Sequence, residues 1–248
     1  MRLILIDRAN EIRGNFFPLA LGRPLWDLRC GMSCLKDKLV AKIKPDDVAY
    51  FVPDYMAGYY RTQAVEPVND ITVMSGHDLI VLDPLLKADS LDVSAKGRSE
   101  VGLDKQGRLL YARIARGDAG RLRAETIEEF LASAKSSLPN VVCNLPLWQY
   151  TWDLVLGNGE QLKTDFAAAG RSGIDGHVEE PIAIRGSRKD VYVAREARVH
   201  PMVTIDAEHG PVYIDEGAQI QSFSRIEGPC YIGKKSILLG AKCREGNS

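Results

Sequence analysis

Two hydrophobic periods divide the chain. From Val193 onward an aliphatic residue returns every six positions: Val193, Val199 and Ile205, then Ile214, Ile220, Ile226, Ile232 and Leu238. The single slip, from Ile205 to Ile214, leaves room for a loop at Glu208–Pro211. Small residues recur four places after the aliphatic ones, at Ala197, Val203, Ala218, Ser224, Cys230 and Ser236. A period of six is neither the 3.6 of a helix nor the 2 of a strand. It suits a solenoid in which each short strand forms one wall and turns a corner, with aliphatic side chains stacked inside. An ordinary meander with accidental spacing is the competing reading.

Residues 1–180 follow mixed periods instead. Leu3–Ile6 and Val48–Val52 predict buried strands, and Ser33–Ile43 predicts a helix with Leu35, Leu39, Val40 and Ile43 on one face. Ile71–Met74 and Leu79–Leu82 predict further strands, and the stretch from Val101 to Ile114 a hairpin turning at Asp104–Gly107. Thr126 with Glu129 has capping-box spacing and opens a helix over 127–136. Pro146 predicts the start of another helix carrying Trp148, Trp152 and Leu154, and a further one covers Gln161–Ala169. The glycine-rich stretch 169–181 then predicts a boundary, giving an α/β domain over 1–180 and a solenoid over 181–248.

Composition narrows the class. The chain has 248 residues, 45% hydrophobic and 26% charged, with mean hydropathy −0.15, which excludes disordered and collagen-like proteins. No apolar run approaches the roughly 18 residues of a membrane span, and the N-terminus lacks the form of a secretory signal. Five scattered cysteines suit reduced thiols and a cytoplasmic setting. The net charge of −1 argues against general nucleic-acid binding. That total conceals an uneven distribution, because residues 2–44 carry nine Arg or Lys against four Asp or Glu. The excess follows the first predicted strand, where α/β folds bind ligands, and includes Arg13, Arg23, Arg29, Lys36 and Lys38. Arg suits bidentate phosphate contact and Lys offers a mobile point charge, although surface solvation is the commoner fate of either.

The six-residue repeat resembles the hexapeptide-repeat, left-handed parallel β-helix of many acyltransferases and some sugar nucleotidyltransferases. It covers about residues 190–246, two and a half to three coils, and stops inside a hexad, so either another subunit covers the open end or the chain is a shortened one. Across nearly the whole chain the motif residues resemble a variant of the bacterial sugar nucleotidyltransferases. They are Pro18, Leu19, Arg23, Pro24, Leu28, Arg29, Gly31 and Lys38, then Trp152, Asp153, Leu154, Val155, Asn158, Asp165 and Phe166. Members of that group resemble the bifunctional UDP-N-acetylglucosamine pyrophosphorylase/glucosamine-1-phosphate acetyltransferase.

That resemblance implies a Rossmann-like domain in which a sugar-1-phosphate oxygen attacks the α-phosphorus of a nucleoside triphosphate and pyrophosphate leaves. It implies Arg23 and Lys38 as catalytic cations, Arg29 and Arg13 as substrate-binding groups, and Asp165 with Asn158 as oxygen ligands of Mg²⁺. Asn158 within Gly-Asn-Gly is equally a helix cap, and Asp165 a helix or surface charge. Two departures stand out: the loop after the first strand lacks the family's clustered glycines, and Asp83–Pro84–Leu85 lacks the spacer of the metal-binding Asp-x-Pro-Leu. His77, His177, His200 and His209 are read as turn or loop residues, so acyl transfer and acetyl-CoA are not expected for this chain. Solenoids of this type imply a homotrimer. A hexapeptide-repeat acyltransferase module and a non-catalytic trimeric scaffold are the alternative functions.

Overall fold

A computed structural model of the chain describes residues 1–7, 11–93, 96–122 and 124–248. The chain divides into two compact units, Met1–Leu28 with Cys34–Thr151, and Arg29–Ser33 with Trp152–Ser248. The division falls at 151/152, earlier than the 180 that the glycine-rich stretch suggests. Five residues of the basic segment also belong to the second unit. Arg8, Ala9 and Asn10 of that segment lie outside the described residues.

The first unit is built on a six-stranded sheet. Its strands are β1 (Arg2–Ile6), β2 (Asp47–Phe51), β3 (Leu79–Leu82), β4 (Glu100–Leu103), β5 (Leu109–Ile114) and β6 (Asn140–Val142), in the spatial order β2-β1-β3-β5-β4-β6. β1 runs parallel to both neighbours, with Leu5 opposite Tyr50 and Leu82, whereas β5 is antiparallel to β3 and β4. β3 is apolar at every position, and β1 at every position but Arg2, because both faces are covered. On one face Leu3, Leu5, Ile80 and Leu82 pack with Leu39 and Ile43 of α1 (Leu35–Ile43) and Met56, Ala57 and Tyr60 of α2 (Asp54–Tyr60). On the other, Ile4, Ile6 and Val81 pack with Ile127, Phe130, Leu131 and Ala134 of α3 (Ile127–Ser137). This mixed sheet fits a Rossmann-like nucleotidyltransferase domain.

Two segments depart from their apolar patterns. Ile71–Met74 is a 3₁₀ turn rather than a strand, because Asp70 accepts the Thr72 N–H at 2.9 Å and starts a helical turn there. Pro146 does not begin a helix. The chain there is extended, Lys87 donates to the Pro146 carbonyl at 3.0 Å and Trp148 to that of Leu85 at 2.9 Å, and α4 (Thr151–Leu156) starts only afterwards. The Thr126 cap is present: its hydroxyl accepts the Glu129 N–H at 3.2 Å.

The second unit begins with α4 and α5 (Asn158–Ala169) and continues into three parallel sheets of four short strands. One sheet stacks Gly173–Ile174, Val191–Val193, Val212–Ile214 and Cys230–Ile232. The second stacks His177–Val178, Arg198–Val199, Gln219–Ile220 and Ile237–Leu238, and the third Ala183–Arg185, Thr204–Asp206, Arg225–Glu227 and Lys242–Cys243. The registers follow the repeat: Val178 pairs Val199 and then Ile220, Ile184 pairs Ile205 and then Ile226. The six-residue aliphatic series forms the interior, and Ser224 at a small-residue position is buried with its hydroxyl donated to the Gln221 carbonyl.

Four coils are present, not three, because the stretch 173–185 is the first coil and not linker. Val178 and Ile184 were six apart, and each lies one coil before its partner. Since Ile220 is fully buried in the stacked series, Ile220→Ala is expected to cost about 2–5 kcal/mol. Urea unfolding followed by circular dichroism measures it, and a loss near zero contradicts the stacked interior.

Candidate active site

Parallel pairing brings the carboxyl ends of β1 and β3 side by side. The chain leaves β1 through α1 toward β2 on one flank, and leaves β3 toward β5 and β4 on the other. Such a divergence opens a crevice beyond the strand ends, where α/β sheets bind ligands. A cavity of about 540 Å³ lies there, with Ile6, Ile12, Leu25, Pro84, Leu85 and Leu131 among its apolar walls. Its polar groups are Asp83, Arg108, Glu128 and Lys135. An apolar container with a few convergent charges is the usual form of a small-molecule site.

Each of these charges is placed by local structure. Asp83 follows β3 directly, and its Oδ1 accepts the Leu85 N–H at 3.0 Å. Its Oδ2 accepts Arg108 Nε at 3.0 Å and the terminal guanidinium nitrogen at 2.6 Å. Arg108 is delivered by the β4–β5 turn, where Asp104 Oδ1 accepts the N–H groups of Gln106 at 2.9 Å and Arg108 at 2.8 Å. Gly107 completes that turn at φ +79°, a conformation that L side chains rarely adopt. Lys135 reaches the Gly107 carbonyl at 2.9 Å from the last turn of α3. Glu128 lies seven residues before Lys135, on the same helix face.

The segment after β1 is held by a buried ion pair. Asp7 and Arg13 are each 2% exposed, and Asp7 Oδ2 accepts from the Arg13 guanidinium and from Leu25 N at 2.9 Å. Arg13 also donates to the Ala20 carbonyl, to the Tyr55 hydroxyl at 3.0 Å and to the Arg23 carbonyl at 3.4 Å. Burial pushes the Asp7 carboxyl above its ordinary range, with Arg13 pulling against that rise. Arg13 therefore anchors the loop from within, which corrects its expected role in touching substrate. Arg23 is exposed, two residues before the cavity-lining Leu25, and Lys38 is half-buried on α1. Lys36 pairs Asp27 at 2.8 Å. Burial opposes its charge, but the Asp27 carboxylate more than offsets this and holds the ammonium above its usual range.

Asn158, Asp165 and Arg29 converge elsewhere, within the second unit, on the turn Gly31–Met32. Asn158 Oδ1 accepts the Gly31 N–H at 2.6 Å, while its amide donates to the Gly246 carbonyl at 2.7 Å. Asp165 Oδ2 accepts the Met32 N–H at 2.7 Å and its Oδ1 accepts Gln161 Nε2 at 3.0 Å. Arg29 donates to the Met32 carbonyl at 2.7 Å and lies over the Tyr231 ring at 5.6 Å. Gly31 has φ +77°, and a Cβ there would come within 2.3 Å of Asp165 Oδ2. The expected pair of Mg²⁺ ligands is thus a clamp on a tight turn, and Arg29 closes the same turn. Their oxygens already accept peptide N–H groups, so this pair does not fit a metal site. Among the described residues no group of three or more His, Cys, Asp or Glu side chains is arranged to hold a metal ion.

Asn158 and Asp165, seven apart on one helix, thus meet at the Gly31–Met32 backbone. Arg108, Glu128 and Lys135 were missed. The signals were present in the Asp104–Gly107 turn that aims Arg108 and in the seven-residue spacing on α3.

A family model described as sugar nucleotidyl transferase matches residues 3–172. The chain belongs to the sugar nucleotidyl transferase family. The match takes in all of the first unit but Met1 and Arg2, and ends directly before the first solenoid strand at Gly173. Comparison with curated proteins found no match. The family pairs a nucleoside triphosphate with a sugar phosphate. Among the described residues no helix is long and apolar enough to cross a membrane.

Removing the guanidinium of Arg13 leaves a buried carboxylate unpaired. Arg13→Met is expected to lower stability by about 3–5 kcal/mol, and adding Asp7→Asn to recover part of it. Denaturation of the single and double variants measures this; a single variant as stable as the parent contradicts the anchoring role.

Proposed function

We propose that this sugar nucleotidyl transferase joins a sugar-1-phosphate to a nucleoside triphosphate with release of pyrophosphate, UDP-N-acetylglucosamine being the product that the motif resemblance favours. The observation that carries the reading is the cavity at the divergence of β1 and β3, in a chain whose residues 3–172 fit the family. Its apolar walls, Ile6, Leu25 and Leu85, suit the base and sugar faces, while charge gathers at Asp83, Arg108 and Lys135. Arg23 is assigned to the triphosphate because Leu25, two residues on, lines the cavity and because the Asp7–Arg13 pair fixes the loop between them. Lys38, on the helix that follows β1, is assigned to the leaving pyrophosphate.

Phosphoryl and nucleotidyl transfers depend on alignment and charge neutralisation more than on covalent participation by the protein. Fixed cations at a water-poor strand end lower the energy of the charge that accumulates on the bridging and leaving oxygens. The attacking sugar phosphate is already ionised at neutral pH, so no general base is required. No step is assigned to a bound metal, since Asn158 and Asp165 are committed to backbone N–H groups and Asp83 to Arg108. The solenoid is taken as left-handed and as the assembly element of a trimer.

The direct test supplies UTP and other nucleoside triphosphates with a panel of sugar-1-phosphates, with and without Mg²⁺, and follows pyrophosphate. Release with at least one pair, reduced about tenfold or more in Arg23→Ala, is expected. No release with any pair, or an unchanged rate in Arg23→Ala, contradicts the corresponding assignment.

A further inference from the structure

Arg108 occupies an unusual position. It lies on the first carboxylate beyond β3, in the crevice where the negative ligand of this family must be neutralised. Its Nε and one terminal nitrogen meet Asp83 Oδ2 at 3.0 and 2.6 Å, and Asp83 Oδ1 is engaged by Leu85 N. The carboxylate therefore already holds a cation, and that cation is part of the protein. A guanidinium carries five donors in a planar fork, so binding Asp83 through one edge leaves further N–H groups for an oxyanion.

The pair is built rather than incidental. The turn that delivers Arg108 is closed by two hydrogen bonds to Asp104 and by Gly107 at positive φ. A second cation, Lys135, is tied to the carbonyl of Gly107, the residue next to Arg108, and lines the same cavity. Asp83 and Arg108 are both largely shielded from water, with side-chain exposures of 13% and 21%, so their charges are weakly screened. Holding a long, flexible side chain in place before the ligand arrives lowers the cost of ordering it on binding.

We propose that Arg108, positioned by Asp83 and seconded by Lys135, is a further phosphate-binding cation of this cleft, beside Arg23 and Lys38, and occupies the carboxylate that a divalent metal would otherwise take. The assignment rests on the reading of the cavity as the nucleotide–sugar phosphate site. The ligand chemistry is a phosphate oxyanion, carried by either the nucleoside triphosphate or the sugar-1-phosphate. Asp83 acts here as a positioning residue, not as a metal ligand.

Calorimetric titration in EDTA and in Mg²⁺ tests this with UTP, N-acetylglucosamine-1-phosphate and inorganic pyrophosphate, using uridine and N-acetylglucosamine as uncharged controls. The parent protein is expected to bind at least one phosphorylated ligand in EDTA. Arg108→Gln should weaken that binding by about tenfold or more while leaving the uncharged controls within about threefold. Arg108→Lys should recover part of the loss, and Lys135→Met should weaken phosphate binding less than Arg108→Gln. Asp83→Asn should retain binding in EDTA within about tenfold, because the guanidinium remains. Melting curves establish that each variant is folded. Undiminished phosphate binding in folded Arg108→Gln overturns the assignment while leaving the nucleotide site in place. Binding by the parent only with Mg²⁺, abolished in Asp83→Asn, also overturns it, because Asp83 would then carry the metal. Failure of the parent to bind any of the ligands in either buffer overturns the site itself.

Discussion

Parallel pairing of β1 with both β2 and β3 is the constraint on which the rest of the first unit depends. Hydrogen bonding fixes Leu5 opposite Leu82, so the two chains emerge from the sheet at adjacent points. They then diverge to opposite flanks, and the space between them cannot be filled by either connection. Everything of chemical interest in this unit borders that space: Asp83 directly after β3, the loop fixed by Asp7 after β1, and the turn carrying Arg108 beside it. The two-sided hydrophobic packing that makes these strands continuous apolar runs also holds the crevice rigid.

Two buried or shielded ion pairs then divide the labour. Asp7 with Arg13 is sealed, and its geometry ties Ala20, Arg23 and Leu25 to the end of β1 without glycine-rich backbone. Side-chain hydrogen bonds to carbonyls thus shape residues 13–25. Asp83 with Arg108 lines the cavity and is less completely buried.

The solenoid was legible because stacking imposes one side-chain type at one spacing, and Val193 to Leu238 obey it. Its first coil was not, since glycines and polar corners surround Val178 and Ile184, and only the pairing with Val199 and Ile205 makes them part of the series. The strands and helices of the α/β unit were likewise visible, except where an Asp70 side chain redirected an apolar run into a 3₁₀ turn. The site was harder to read. Charge density draws attention to the segment after β1, but charge alone cannot separate Arg13, which is sealed inside, from exposed Arg23. Asn158 and Asp165 carried the spacing of partners, and their partner is the Gly31–Met32 backbone. Arg108 and Lys135 come from segments about 70 to 130 residues away from the basic stretch, and only the sheet order brings them to the crevice.

The central claim is that phosphate binds at the divergence of β1 and β3. A crystal structure with a nucleoside triphosphate bound tests it most directly. Phosphate oxygens are expected within hydrogen-bonding distance of Arg108, with the base or sugar against Leu25 and Leu85. A triphosphate bound elsewhere on the chain, with the Asp83–Arg108 pair untouched and the cavity empty, would contradict it.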